Sequence, residues 1–90
     1  MADAPDPQLS LTLGPLFVVR VADRFSPGLT GRHDRDYASP PQPRDEALAL
    51  AGFLVDAAEA LEGEGPWQRA LAGGRRTVSL VRAPAGAVWG

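Results

Sequence analysis

The sequence predicts an α+β fold: a small two-layer sandwich in which a three- or four-stranded, largely antiparallel sheet is covered on one face by one long helix. Three observations carry this expectation. A β-branched and aromatic run fills residues 16–25, an Ala- and Leu-rich stretch with helical periodicity follows a proline-rich lead at residues 39–43, and a second β-branched run, "RRTVSLVR", ends before Pro84. The order is hairpin, helix, strand, so a helical crossover lays the last strand beside one hairpin arm.

The chain has 90 residues, enough for one domain and not two. Residues 1–8, "MADAPDPQ", combine prolines and acids without an apolar anchor and read as a disordered tail. Residues 9–84 then form the single domain, and residues 85–90 a loose C-terminal tail. Within the domain, residues 9–13 alternate Leu9, Leu11 and Leu13 before Gly14-Pro15 interrupts, so whether this piece joins the sheet is open.

Residues 16–25 are the firmest strand. Period-two alternation puts Phe17, Val19, Val21 and Phe25 on one face and Leu16, Val18, Arg20, Ala22 and Arg24 on the other. "SPGLTG" supplies a turn, and "GRHDRDY" returns as the second hairpin arm. Charge selects the register. With Arg24 opposite Asp34, Asp23 faces Arg35, Val21 faces Tyr37 and Phe25 faces His33; a shift by one residue sets Asp23 against Asp34, a like-charge pair.

The helix is expected from residue 43 or 44 to residue 62. Pro43 suits a helix start, Asp45 and Glu46 suit the positive end of the helix dipole, and Gly63 suits a stop. Ala47, Leu50, Leu54, Ala57, Ala58 and Leu61 define its apolar stripe, flanked by Phe53 on one side and by Leu48, Ala51 and Val55 on the other. That arc is about twice the roughly 100° one sheet face needs. Another subunit, or the N-terminal strand, is expected to cover the excess. "PWQRALAGG" reads as a short helix or turn from Pro66, and Val78 and Leu80 of the last strand point inward.

Composition removes several chemistries. With no cysteine there is no disulfide, thiolate site or thiol nucleophile, and with no lysine there is no Walker-type phosphate loop. His33, Asp34 and Asp36 are metal-donor types, yet neighbouring strand residues point to opposite faces while a closed site takes about four ligands. No nucleophile motif or oxyanion loop accompanies His33. The chain therefore reads as non-enzymatic, with no cofactor or metal. It also lacks Lys, Ile and Asn while Ala, Gly, Pro and Arg abound, the pattern of a high-GC bacterial genome. Without an apolar run long enough to span a membrane or a signal-like N-terminus, the expected setting is the cytoplasm, with no membrane contact.

Charge is uneven beneath the formal net of −2. Residues 44–64 hold one arginine against six acids, whereas residues 65–90 hold four arginines and no acid. The functional expectation is a small protein–protein interaction or regulatory module that self-associates, as a homodimer or with a protein partner. Its interface candidates are Leu48, Ala51 and Val55 on the helix, His33 at the hairpin tip, and Arg75 and Arg76 beside the Gly73-Gly74 turn. Two other readings stand beside it: a nucleic-acid-associated regulator using Arg20, Arg24, Arg75 and Arg76 on the open sheet face, and an accessory or inhibitor protein of a mobile element.

Overall fold

The structure, a computed structural model, describes residues 14–28, 31, 33–84 and 86–88. Six elements follow one another: β1 (Leu16–Phe25), β2 (Arg35–Ala38), β3 (Gln42–Pro43), α1 (Arg44–Val55), β4 (Trp67–Leu71) and β5 (Gly74–Arg82). The strands form one antiparallel sheet in the order β2-β1-β5-β4, with β3 paired to the N-terminal part of β1, and α1 lies on one face. This is the expected α+β two-layer arrangement. The expected tail over residues 1–8, the strand-like residues 9–13 and part of the expected C-terminal tail lie outside the described residues.

The hairpin register is the one that charge selected: Asp23 faces Arg35, Val21 faces Tyr37 and Arg20 faces Ala38. The second arm then carries a bulge. Four steps along β1 from Val21 to Phe17 correspond to five on the opposite strand, from Tyr37 to Gln42. Ser39 bridges the irregularity, its N–H donating to the Val19 carbonyl and its hydroxyl accepting the Val19 N–H, both at 2.9 Å. Pro40, Pro41 and Pro43 follow at once, so this edge of the sheet offers few donors to another strand.

The sheet has one strand more than the C-terminal half of the sequence suggests. Residues 67–71, expected as a short helix or turn, are β4, paired with β5 so that Trp67 faces Val78 and Leu71 faces Gly74. The alternation Trp67, Arg69, Leu71 on one face and the two-residue turn at Ala72-Gly73, with Gly73 at φ 77°, are hairpin features that outweigh the helix-like start at Pro66. At Gly74 the backbones close tightly. A Cβ there would collide with the Arg24 carbonyl oxygen and the Phe25 ring, which restricts the position to glycine.

The helix is shorter than expected. It ends at Val55, where Asp56 turns into the left-handed region (φ 54°, ψ 46°) and the Ala57 N–H closes on the Gly52 carbonyl at 2.9 Å. Residues 57–62 are good helix formers by propensity, but a helix of 12 residues already spans about 18 Å, and tertiary contacts claim the following chain. It folds back along α1: Leu61 packs against the core beside Gly52, and the Gly63 carbonyl accepts a 2.8 Å hydrogen bond from Arg44 at the start of the helix. Arg44 also sits over the Phe17 ring at 5.3 Å.

The core between the layers is built from Phe17, Val19 and Val21 of β1, Val78 and Leu80 of β5, and Ala47 and Ala51 of α1. Two alanines at the contact let the helix approach the sheet closely. They also rotate the buried stripe toward Ala51, which the sequence reading places on the flank.

Candidate interaction surface

Among the described residues, one charged side chain is buried with this core. Asp23 follows Val19 and Val21 on the inward face of β1 and is fully buried. Arg76 reaches it from β5, its direct cross-strand neighbour: Nε donates to Oδ1 at 2.8 Å and one terminal nitrogen donates to Oδ2 at 3.1 Å. The other terminal nitrogen of Arg76 donates to the Leu54 carbonyl at 3.3 Å, so the same guanidinium receives the end of α1. Hydrogen bonds from Arg76 hold the Asp23 carboxyl below the usual carboxylate range, against the upward push of burial. Arg35, the expected partner, lies at the limit of contact, 4.0 Å away.

Arg76 is therefore not a residue of the open face. Consecutive strand residues point to opposite sides, so Arg75 is exposed on the open face and Arg76 turns into the core side with 17% of its side chain accessible. The expected basic patch of Arg20, Arg24, Arg75 and Arg76 accordingly loses one member. The two guanidiniums beside the glycine turn do not converge on one anion either. What remains is polar: Arg24 pairs with Asp36 at 2.8 Å, more closely than with Asp34 at 3.9 Å, and holds the Asp36 carboxyl below its usual range. Arg75 donates to Gln68 at 3.2 Å.

The other sequence candidates are dispersed. His33 is exposed ahead of β2, in the turn-side segment where the Asp34 carboxylate accepts the Phe25 N–H at 2.9 Å. Ala51 is fully buried against the sheet and is withdrawn as an interface candidate, because a partner cannot reach it while the layers are packed. Leu48 and Val55 are half-buried and pack against the core. Among the described residues no three His, Asp or Glu side chains are grouped so as to hold a metal ion, and no helix is long and apolar enough to cross a membrane.

The return of residues 57–61 along α1 creates a surface feature that the sequence does not announce. An open groove of about 870 Å³ runs between the helix and its own return segment. Leu48, Gly52, Leu54, Ala57 and Leu61 supply apolar lining, Asp45, Asp56 and Glu59 the acids, and Arg69 and Arg76 the bases. Phe53 stands on the helix side with 80% of its surface exposed. Sequence reasoning places Phe53 on the flank of the stripe but does not single it out. The decisive fact, that the helix turns its Ala47–Ala51 side down and leaves Phe53 outward, depends on packing.

No protein-family model, no curated protein and no solved structure matches the chain.

Proposed function

We propose that the chain is a small, non-enzymatic interaction or regulatory module of the bacterial cytoplasm that self-associates as a homodimer. The observation that carries the reading is the groove along α1 with Phe53 exposed beside it. A large aromatic left in water next to an open groove of mixed apolar and charged lining marks a contact surface more often than a fold requirement. The small core points the same way, since a domain of this size gains about 3–5 kcal/mol from its own core and oligomerisation is a common supplement. Sedimentation or light scattering at micromolar concentration tests the reading. A dimer is expected, and a strictly monomeric, cooperatively folding species refutes it.

One observation favours a second reading. Arg75 is exposed on the open face with Arg20 on the neighbouring strand β1, and Arg24, its direct cross-strand partner, is already paired with Asp36, so Arg75 and Arg20 are the groups that suit a phosphate backbone. On this reading Arg75→Glu weakens DNA or RNA binding and the binding falls steeply with salt. No mobility shift at low salt removes it. Arg76 plays no part in this version, because its guanidinium is committed to Asp23.

A further inference from the structure

Resting on the reading of a self-associating module, we infer that the free edge of β4 pairs antiparallel with β4 of a second copy, about a two-fold axis through Gln68, so that two sheets become one. Backbone direction supplies the first observation. The Ala83 N–H donates to the Leu16 carbonyl and the Leu80 N–H to the Glu64 carbonyl, so odd-numbered residues of β5 bond to β1 and even-numbered ones to the β4 side. Gly74, Arg76 and Val78 therefore take Leu71, Arg69 and Trp67, and the N–H and C=O groups of Gln68 and Ala70 point away from the sheet. No other backbone group bonds to them among the described residues, and residues 68–70 are exposed. An antiparallel strand satisfies donors and acceptors alike, and an edge turned on its own copy is its own complement. The opposite edge is guarded. There β2 has four residues and gives way to the Ser39 bulge and to Pro40, Pro41 and Pro43, whereas β4 carries neither bulge nor proline. Pairing therefore stops at two copies and does not propagate from edge to edge.

Side chains fix the register. Outward groups meet outward groups only when the axis passes through Gln68, Arg69 or Ala70. An axis through Arg69 sets that guanidinium against its own copy, a like-charge pair. One through Ala70 sets Gln68 against Ala72, which belongs to the turn and not to the strand. The axis through Gln68 lets the two Gln68 residues exchange both backbone bonds and sets Trp67 of each copy opposite Arg69 of the other, a cation–aromatic pair made twice per dimer. Trp67 and Arg69 share the helix-covered side of the sheet with Val78 and Arg76, their partners on β5. Arg69 takes part in no ion pair among the described residues.

The test is sedimentation equilibrium of the full chain and of Gln68→Pro, Gln68→Ala and Arg69→Ala, with circular dichroism as the check on folding. Proline at 68 removes an N–H that no backbone bond within one copy uses, so the fold is expected to survive. At the axis it removes the central hydrogen bond twice and should raise the dimer dissociation constant by about tenfold or more. Gln68→Ala keeps that N–H and should dissociate like the wild type. Arg69→Ala should weaken the dimer several-fold, whereas a register with Arg69 facing itself makes the same change tighten it. A wild-type dimer indifferent to Gln68→Pro, or one that Gln68→Ala weakens as much, overturns the edge pairing and leaves self-association standing through another surface. A tighter Arg69→Ala dimer overturns the axis through Gln68. A wild-type protein that stays monomeric overturns both the pairing and the self-associating module. If Gln68→Pro were to lose its fold, Arg69→Ala alone decides, and an unchanged or tighter dimer contradicts the pairing.

Discussion

The two faces of the sheet carry the same chemistry in different surroundings. On the face under α1, Arg76 meets Asp23 at 2.8 Å, with Asp23 fully buried; on the open face, Arg24 meets Asp36 at the same distance, with more than half of each side chain in water. The buried pair is held by two parallel hydrogen bonds and the exposed pair by one close contact, and solvent separates them further. Water competes for the exposed pair and screens it, so its contribution to stability is small. The buried pair has lost that solvation, so each charge depends on the other for compensation. The buried pair also does a second task, because the Arg76 guanidinium satisfies a carbonyl at the end of α1 and so joins the helix to both central strands.

The strongest way to break this contrast is Asp23→Ala. It leaves a guanidinium without its partner inside the fold, which costs about 3–5 kcal/mol, comparable to the whole stability of a small domain. The expected outcome is a largely unfolded chain at 25 °C by circular dichroism, and a cooperative melt near that of the wild type contradicts the assignment. Replacing both partners with apolar residues, Asp23→Leu with Arg76→Met, should be milder than Asp23→Ala alone because no unpaired charge remains.

Acid offers a gentler probe of the same pair. The folded-state pKa of Asp23 is depressed, so its contribution is fully present above the unfolded value of about 4 and is lost as pH falls through the lower folded value. Urea midpoints are expected to change little between neutral pH and about pH 5 and to drop in more acidic buffer. Asp23→Asn should flatten part of that drop if it folds. The double variant Asp23→Leu with Arg76→Met, expected to fold because no unpaired charge remains, provides the same comparison if Asp23→Asn does not.

Gly74→Ala comes next. The added methyl meets backbone at Arg24 as well as the Phe25 ring, so relief requires the β1–β5 ladder to shift, at about 1–3 kcal/mol. A lower melting temperature with an unchanged spectrum is expected, and wild-type stability shows that the close approach is less constrained than the packing indicates. The smallest effect belongs to Asp36→Ala on the open face. Its melting curve should overlay the wild type, and a large loss removes the distinction between the two faces.

Much of this architecture is legible in the chain. The strand at residues 16–25, the inward Val78 and Leu80, and the register of Arg35 and Tyr37 against Asp23 and Val21 follow from alternation and charge. Asp23 continues the inward series Phe17, Val19, Val21, but charge matching across the hairpin pairs its carboxylate with Arg35 and not with Arg76, 53 residues away. Residues 67–71 and 57–62 were misleading for a common reason. Local propensity favours helix or turn in both, while the partner strand β5 and the return contacts at Leu61 and Gly63 are made by residues distant in sequence. Of the interface candidates, Arg76 and Ala51 belong to packing. The groove was invisible beforehand because it exists only once the chain doubles back along the helix.

The sequence by itself determined which residues alternate, where glycine and proline interrupt regular structure, and which charges exclude a slipped hairpin register, because these depend on neighbours along the chain or directly across one turn. Only the tertiary structure decided that Arg76 faces inward to Asp23 and the end of α1, that the helix stops at Val55, and that Phe53 is left outside. Each of those depends on burial, and burial is a property of what packs above a residue once distant segments have met.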